Sequence, residues 1–142
     1  MASRIAASSV DVGTELPAQS FVLKRVDLVK YAGASGDFNI IHWNERVATE
    51  VGLPNVIAHG MLTMAEAIRV VTDWCGDPGA VLEYSTRFTK PVPVPDDHQG
   101  AIVDVKGSVI EVLDGGRVKV DLVATCDAAK VLGMARALVQ LA

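Results

Sequence analysis

Asp37, Asn39 and His42 put a carboxylate, an amide and an imidazole within six residues, directly after Gly33-Ala34-Ser35-Gly36. Asp37 and His42 are five residues apart. Regular structure does not join such a pair: on a helix they are rotated about 140° from one another, and on a strand they take opposite faces. The side chains converge only if the backbone turns between them. Gly36 accepts unusual φ and Asn39 can bond its own backbone, so both suit that turn. A carboxylate and an imidazole meeting on a bend suit general acid–base catalysis. Free imidazole titrates near about 6.5, which leaves the neutral base available at neutral pH. A turn-capping Asp and a core-packed His would account for the two residues without chemistry, so the surrounding text has to decide.

That text is extensive. Tyr31, Ser35, Gly36, Asp37, Asn39, Ile41, His42 and Ala48 follow a longer pattern: aromatic, short spacer, Ser-Gly-Asp-x-Asn-Pro-aliphatic-His, then a small residue. It resembles the signature of the MaoC-like family of (R)-specific enoyl hydratases and (3R)-hydroxyacyl dehydratases. Ile40 stands where the family has Pro, which removes proline's fixed φ and its restriction on the preceding residue. The resemblance implies a hotdog fold over nearly the whole chain, two units paired with the sites at their junction, and reversible syn elimination of water from a (3R)-3-hydroxyacyl thioester. It implies His42 as the base at C2 and Asp37 as its partner at the hydroxyl, a division the sequence leaves open. Asn39 would orient Asp37 or the water.

Deprotonation at C2 builds charge on the thioester oxygen, and that charge needs a sink. Gly60 falls where a long helix should begin, with free N–H groups and the positive end of the dipole. Without a side chain it lets a carbonyl approach, so its N–H is the expected oxyanion donor. The run Ala58-His59-Gly60-Met61 also matches the family's text, with His59 read as structural.

Within the family, Tyr31-Ala-Gly, Ile57 to Met64, Gly76 to Ala80 and Arg87 to Asp96 are most similar to the B subunit of heterodimeric (3R)-hydroxyacyl-ACP dehydratases of type II fatty acid synthesis. That likeness implies an acyl-ACP substrate and a related hotdog partner lacking the acid–base pair. The alternatives are an acyl-CoA hydratase working as a homodimer, a hotdog thioesterase using Glu66, or a non-catalytic acyl-binding subunit. Glu66 has Arg69 three residues on and reads as a paired or solvated face. His98, in the polar loop Asp96-Asp97-His98-Gln99, is given no catalytic role. Asp37, Asn39, His42 and His59 could be imagined as metal ligands, but no CxxC, HxH or HExxH spacing supports them, and neither metal nor cofactor is expected.

The elements that must position these residues follow from pattern. Residues 8–19 read as an irregular lead-in, interrupted by Gly13 and Pro17. Ser20 to Arg25 reads as a short strand with Phe21 and Leu23 inward, and Val26 to Ala32 as a short helix ended by Gly33 and the Ser35-Gly36 turn. Asn44 suits the N-cap of a helix over Glu45 to Val51, closed by Gly52 and Pro54. Met61 to Cys75 is apolar round most of its circumference, with a polar stripe at Glu66, Arg69 and Asp73, and must be largely buried. The period then changes to two. Leu82, Tyr84, Thr86 and Phe88 alternate with polar residues; Val103, Val105 and Val109 mark another strand; Asp114-Gly115-Gly116 is a hairpin turn; Val118 to Ala124 and Val131 to Leu141 complete the set. Pro91, Pro93 and Pro95 exclude a central strand between them. One buried helix with a run of antiparallel strands is an α+β layout, the sheet wrapping the helix.

The chain has 142 residues, half of them hydrophobic, which fits one domain over 1–142. No run of about 18 apolar residues proposes a membrane span. The first ten residues are too short and broken in apolar character for a signal peptide. Cys75 and Cys126, without paired spacing, fit buried free thiols and a reducing cytoplasm. A net charge of −4 with scattered basic residues argues against nucleic acid.

Overall fold

The computed structural model describes residues 5–142. The first four residues of the stretch read above for a signal peptide lie outside them. The strands are β1 (Glu15–Leu23), β2 (Val81–Phe88), β3 (Ala101–Leu113), β4 (Arg117–Cys126), β5 (Ala129–Lys130) and β6 (Leu132–Gln140), and the helices α1 (Arg25–Ser35), α2 (Glu45–Glu50) and α3 (Gly60–Cys75). All strand pairs are antiparallel, in the order β1-β3-β4-β6-β2, with β5 paired to β4.

The period-two text places one face of this sheet inward. Val103, Val105 and Val109 of β3, Val118, Val120 and Leu122 of β4, and Ala135, Ala137 and Val139 of β6 are all buried. Against them lies α3, which packs on β1, β2, β3 and β4. Its Leu62, Ala67, Val70, Val71 and Cys75 are buried, while Met61 at the first turn is exposed. Each buried Val or Leu contributes about 1.5–3 kcal/mol. A charge at Val70 would oppose the whole contact, because a buried ion without a partner is strongly unfavourable. The predicted polar stripe faces outward and is tied down: Arg69 pairs with Glu66 at 2.8 Å and lies 4.9 Å over the Phe21 ring, and Gln19 bonds Asp73 at 3.0 Å.

The first strand and the first helix differ from the sequence reading at their boundaries. The first strand begins at Glu15, inside the expected lead-in, and ends at Leu23. It is an edge strand with a register shift between Leu16 and Gln19, the one setting in which Pro17 is compatible with strand structure. Helix α1 runs through Gly33 and stops only at Gly36, whose φ of 76° is the left-handed cap. Strand β2 is the other edge, and its Leu82 and Phe88 are half exposed.

Tyr84 of β2 donates its hydroxyl to the Met64 carbonyl at 3.1 Å, fastening the edge strand to α3. Burial pushes this phenol up to about 12. The Pro91–Pro95 segment forms no regular strand, as its prolines require. It runs beside residues 56–58, with the Ala58 N–H on the Val92 carbonyl and the Val94 N–H on the Val56 carbonyl, both at 2.9 Å. Cys75 and Cys126 are both buried, and no disulfide joins them. Burial pushes the Cys126 thiol up, with the Asp127 and Asp104 charges adding to it. Among the described residues no helix is long and apolar enough to cross a membrane.

Candidate active site

The loop after α1 is built by its own short polar side chains. Ser35 Oγ accepts from the Asp37 N–H at 3.2 Å, Asp37 Oδ1 from the Asn39 N–H at 3.1 Å, and Asn39 Oδ1 from the Ile41 N–H at 3.3 Å. These are successive side-chain-to-backbone turns. They end in a single 3₁₀ turn, Ile40–His42, for which Asn39 is the N-cap. Trp43 Nε1–H donates to the Phe38 carbonyl at 3.1 Å and closes the loop from outside. The Asn39 N–H thus meets the Asp37 carboxylate, while the Asn39 side-chain oxygen serves the turn.

The backbone of Ile57 fixes the imidazole. The Ile57 N–H bonds the Ile41 carbonyl at 3.3 Å, and the Ile57 carbonyl lies 2.7 Å from His42 Nδ1. A carbonyl only accepts, so Nδ1 carries a proton and, in the neutral ring, Nε2 holds the lone pair. Nε2 faces Asp37 Oδ2 at 3.9 Å. That is ion-pair range but longer than a hydrogen bond, so both atoms remain open to a third group. The two differ in surroundings: the His42 side chain is 9% exposed and that of Asp37 51%.

His59 lies against the same pair. Its ring stacks on His42 with centroids 3.8 Å apart and planes inclined by 25°, and on its other contact meets Tyr31 at 4.8 Å and 57°. His59 Nε2–H donates to the Asp37 carbonyl at 3.1 Å. Nδ1 is then an acceptor, buried without a hydrogen-bond partner among the described residues, a situation that costs about 1–3 kcal/mol. Burial pushes His59 below the usual imidazole range, although its bond to the Asp37 carbonyl works the other way.

His59 is also the N-cap residue of α3, and Gly60 its first helical residue. The Gly60 N–H therefore belongs to the first turn, where helix geometry provides no partner and the dipole is positive. A Cβ at Gly60 would meet the Phe88 ring at 2.8–2.9 Å. Glycine is required there by Phe88, an aromatic that the sequence pattern showed only as part of the alternation of β2. It sits just past a register shift between Ser85 and Arg87, which turns the end of β2 over α3. No local signal in the sequence announces that contact.

Ligand atoms of Asp37, His42 and His59 all lie within 4.8 Å of one another, a grouping that spacing alone did not indicate. It does not suit a metal. A ligating imidazole holds its ion about 2.0–2.1 Å away along the in-plane lone pair. Two rings stacked at 3.8 Å and inclined by only 25° have planes that meet far outside that distance. Glu66 is held by Arg69 at 2.8 Å, away from the Asp37/His42 pair in the hydrogen-bond pattern. Two cavities lie along α1, the first of them beside the loop. One of about 220 Å³ is lined by Val29, Ala32, Phe38 and Trp43; the other, of about 350 Å³, includes Val22, Leu23, Tyr31, Leu62 and Glu66.

A helix wrapped by an antiparallel sheet, with an acid and an imidazole at the helix N-terminus, is a hotdog arrangement, and solved structures agree. A MaoC-like dehydratase superposes with a TM-score of 0.93 and 40% identity over 98% of this chain and 43% of that chain. The unliganded R-hydratase PhaJ1 from Pseudomonas aeruginosa gives 0.79 and 27% over 97% of this chain and 86% of that one. In sequence, 3-hydroxyacyl-thioester dehydratase X of Mycobacterium tuberculosis (strain ATCC 25618 / H37Rv) is 41% identical over 83 residues, 57% of this chain and 29% of that protein. The MaoC like domain model matches residues 8–125, and the chain belongs to this family. It spans less than two thirds of the length of the curated relatives it matches.

Proposed function

We propose that the chain is a (3R)-hydroxyacyl-thioester dehydratase, working reversibly with trans-2-enoyl thioesters. The observation that carries this reading is the 3.9 Å approach of Asp37 Oδ2 to a His42 Nε2 whose lone pair is left free, beside the N-terminus of α3. In dehydration, His42 Nε2 takes the C2 proton. The C2–H electron pair forms the new double bond as the C3–O bond breaks. Asp37 hands a proton to the departing hydroxyl, which leaves as water. Proton return from His42 to Asp37 resets the site, so no co-reactant is consumed. The Gly60 N–H and the α3 dipole stabilise the charge that develops on the thioester oxygen, an effect worth about 2.7–4 kcal/mol where single donors have been removed elsewhere.

The finer reading is a catalytic subunit of the B type, one hotdog domain over 1–142, acting in the cytoplasm on acyl-ACP. An acyl-CoA hydratase is the alternative. A dimer, with itself or with a related hotdog chain, is supported by the unpaired outer edge of β2 and the half-exposed Leu82 and Phe88 along it. No observation favours the thioesterase reading, because Glu66 is neutralised by Arg69.

The test follows enoyl absorbance and free thiol together. Purified protein is given short and long trans-2-enoyl thioesters on CoA and on ACP, with and without a co-expressed hotdog partner. Loss of enoyl absorbance without thiol release is expected. Thiol release without hydration would replace the dehydratase by a thioesterase, and neither reaction on any substrate would leave an acyl-binding subunit.

A further inference from the structure

His59 touches every part of the site, yet the chemistry proposed above uses none of its atoms. Its ring face lies on His42, its Nε2–H holds the Asp37 carbonyl, and its main chain leads directly into Gly60. We propose that His59 is a positioning residue for the dehydratase reaction: one buried ring sets the plane of the base and anchors the backbone of the acid, directly before the helix that presents the oxyanion donor. The proposal rests on the Asp37/His42 reading.

The geometry gives each contact a separate task. The 3.8 Å stack prevents the His42 ring from tilting, and with Nδ1 held by the Ile57 carbonyl it fixes the direction of Nε2. The 3.1 Å bond to the Asp37 carbonyl fixes that residue's main chain, from which an exposed carboxylate must be aimed. The stack on His42 calls for a neutral ring. His42 becomes a cation when it takes the C2 proton; a neutral aromatic face accommodates that cation, whereas a second imidazolium would repel it. Among the described residues, the groups facing His59 are His42 and Asp37 from the loop and Tyr31 from α1, with no lysine or arginine. A ring kept only for packing would be better served by phenylalanine, which has no buried nitrogen without a partner.

Three variants separate the tasks: His59→Phe keeps a ring face without the donor, His59→Gln keeps a donor without the ring, and His59→Ala keeps neither. Melting temperature, kcat and KM are measured for each against a trans-2-enoyl thioester. Positioning predicts that Phe and Gln each lower kcat by about 10–100-fold, with KM within about twofold and Ala worse than both. His59→Phe does this while melting near the wild-type temperature. A folded Phe variant with wild-type kcat overturns the proposal, as does a series in which activity simply follows melting temperature. Failure of all three to fold makes His59 structural and has the same result. Asp37→Asn and His42→Gln are run alongside. If they are folded and active, the acid–base reading falls and the proposal with it; if they are inactive while His59→Phe is normal, only the proposal falls.

Discussion

Glu66 on α3 and Asp37 on the loop after α1 are two carboxylates that differ in what each is given as a partner. Glu66, part-way along α3, is locked to Arg69 at 2.8 Å, with a side chain 23% exposed. Asp37 is 51% exposed, and one oxygen faces a neutral imidazole lone pair at 3.9 Å. A guanidinium never gives up its proton, so the Glu66 pair is electrically finished. An imidazole can gain and lose one, so the Asp37 pair can pass a proton to a third molecule and recover it. The backbone supports the same division: Asp37 and His42 are aimed by bonds to main-chain groups, whereas Glu66 is held only by the side chain one turn along.

The largest effect expected from this contrast is on turnover. Asp37→Asn and His42→Gln should each lower enoyl hydration by about 10²–10⁴ while leaving the protein folded. Glu66→Gln should cost no more than an exposed ion pair does, about 0–1 kcal/mol in stability, with hydration close to wild type. A greater loss of hydration at Glu66 than at His42, in the same enoyl assay, would reverse the contrast.

Next in size is the Phe88 contact. Gly60→Ala drives a methyl group into the Phe88 ring and should lower stability by about 1–3 kcal/mol, as overpacking does. In a Phe88→Ala background the same substitution should be nearly neutral. Thermal melts of the single and double variants would reveal that coupling, and equal costs in both backgrounds would remove Phe88 as the reason for glycine.

A pH effect on stability follows from Tyr84. Its folded phenol is raised to about 12 against an unfolded value of 10.0, so between these the unfolded chain has released a proton that the folded chain retains. The stability it contributes is therefore complete below pH 10 and is lost as pH rises towards 12. Tyr84→Phe should flatten that alkaline limb in a series of melts, at a cost of about 0.5–1.5 kcal/mol at neutral pH for the lost bond to Met64.

The smallest effect concerns Ile40. It is the first residue of a 3₁₀ turn, where an N–H has no place in the ladder, and it follows Asn39 at ψ 126°. Both features suit proline. Ile40→Pro should keep activity and raise stability by about 0.4–1 kcal/mol, and a clear drop in melting temperature would contradict this.

Much of this was legible because it is local. The three-to-four periodicity of α3, the Asn44 cap (accepting from the Val47 N–H), the Asp114-Gly115-Gly116 hairpin and the proline-rich segment were each specified by neighbouring residues. The start of β1 was not. Glu15-Leu-Pro-Ala-Gln carries no alternation, and only a bulged edge position makes its proline acceptable. Gly33 read as a helix stop because its composition suggests one, but a helix tolerates an isolated glycine at about 1 kcal/mol. In the site, Asp37 and His42 could be related across a turn, since the turn residues stood between them. The bond from His59 to Asp37 spans 22 residues, and the approach of Phe88 to Gly60 spans two elements. Such contacts depend on how α1, α3 and β2 pack, and no local pattern encodes them.

The central claim is that Asp37 and His42 act as one unit on the thioester. A double-variant cycle on enoyl hydration tests it most directly, comparing kcat/KM for wild type, Asp37→Asn, His42→Gln and the two combined. Groups that work as a unit lose nearly everything with the first removal. The combined variant should therefore be no slower than the slower single variant. Losses that multiply would show two independent contributions, and wild-type turnover in either folded single variant would contradict the assignment outright.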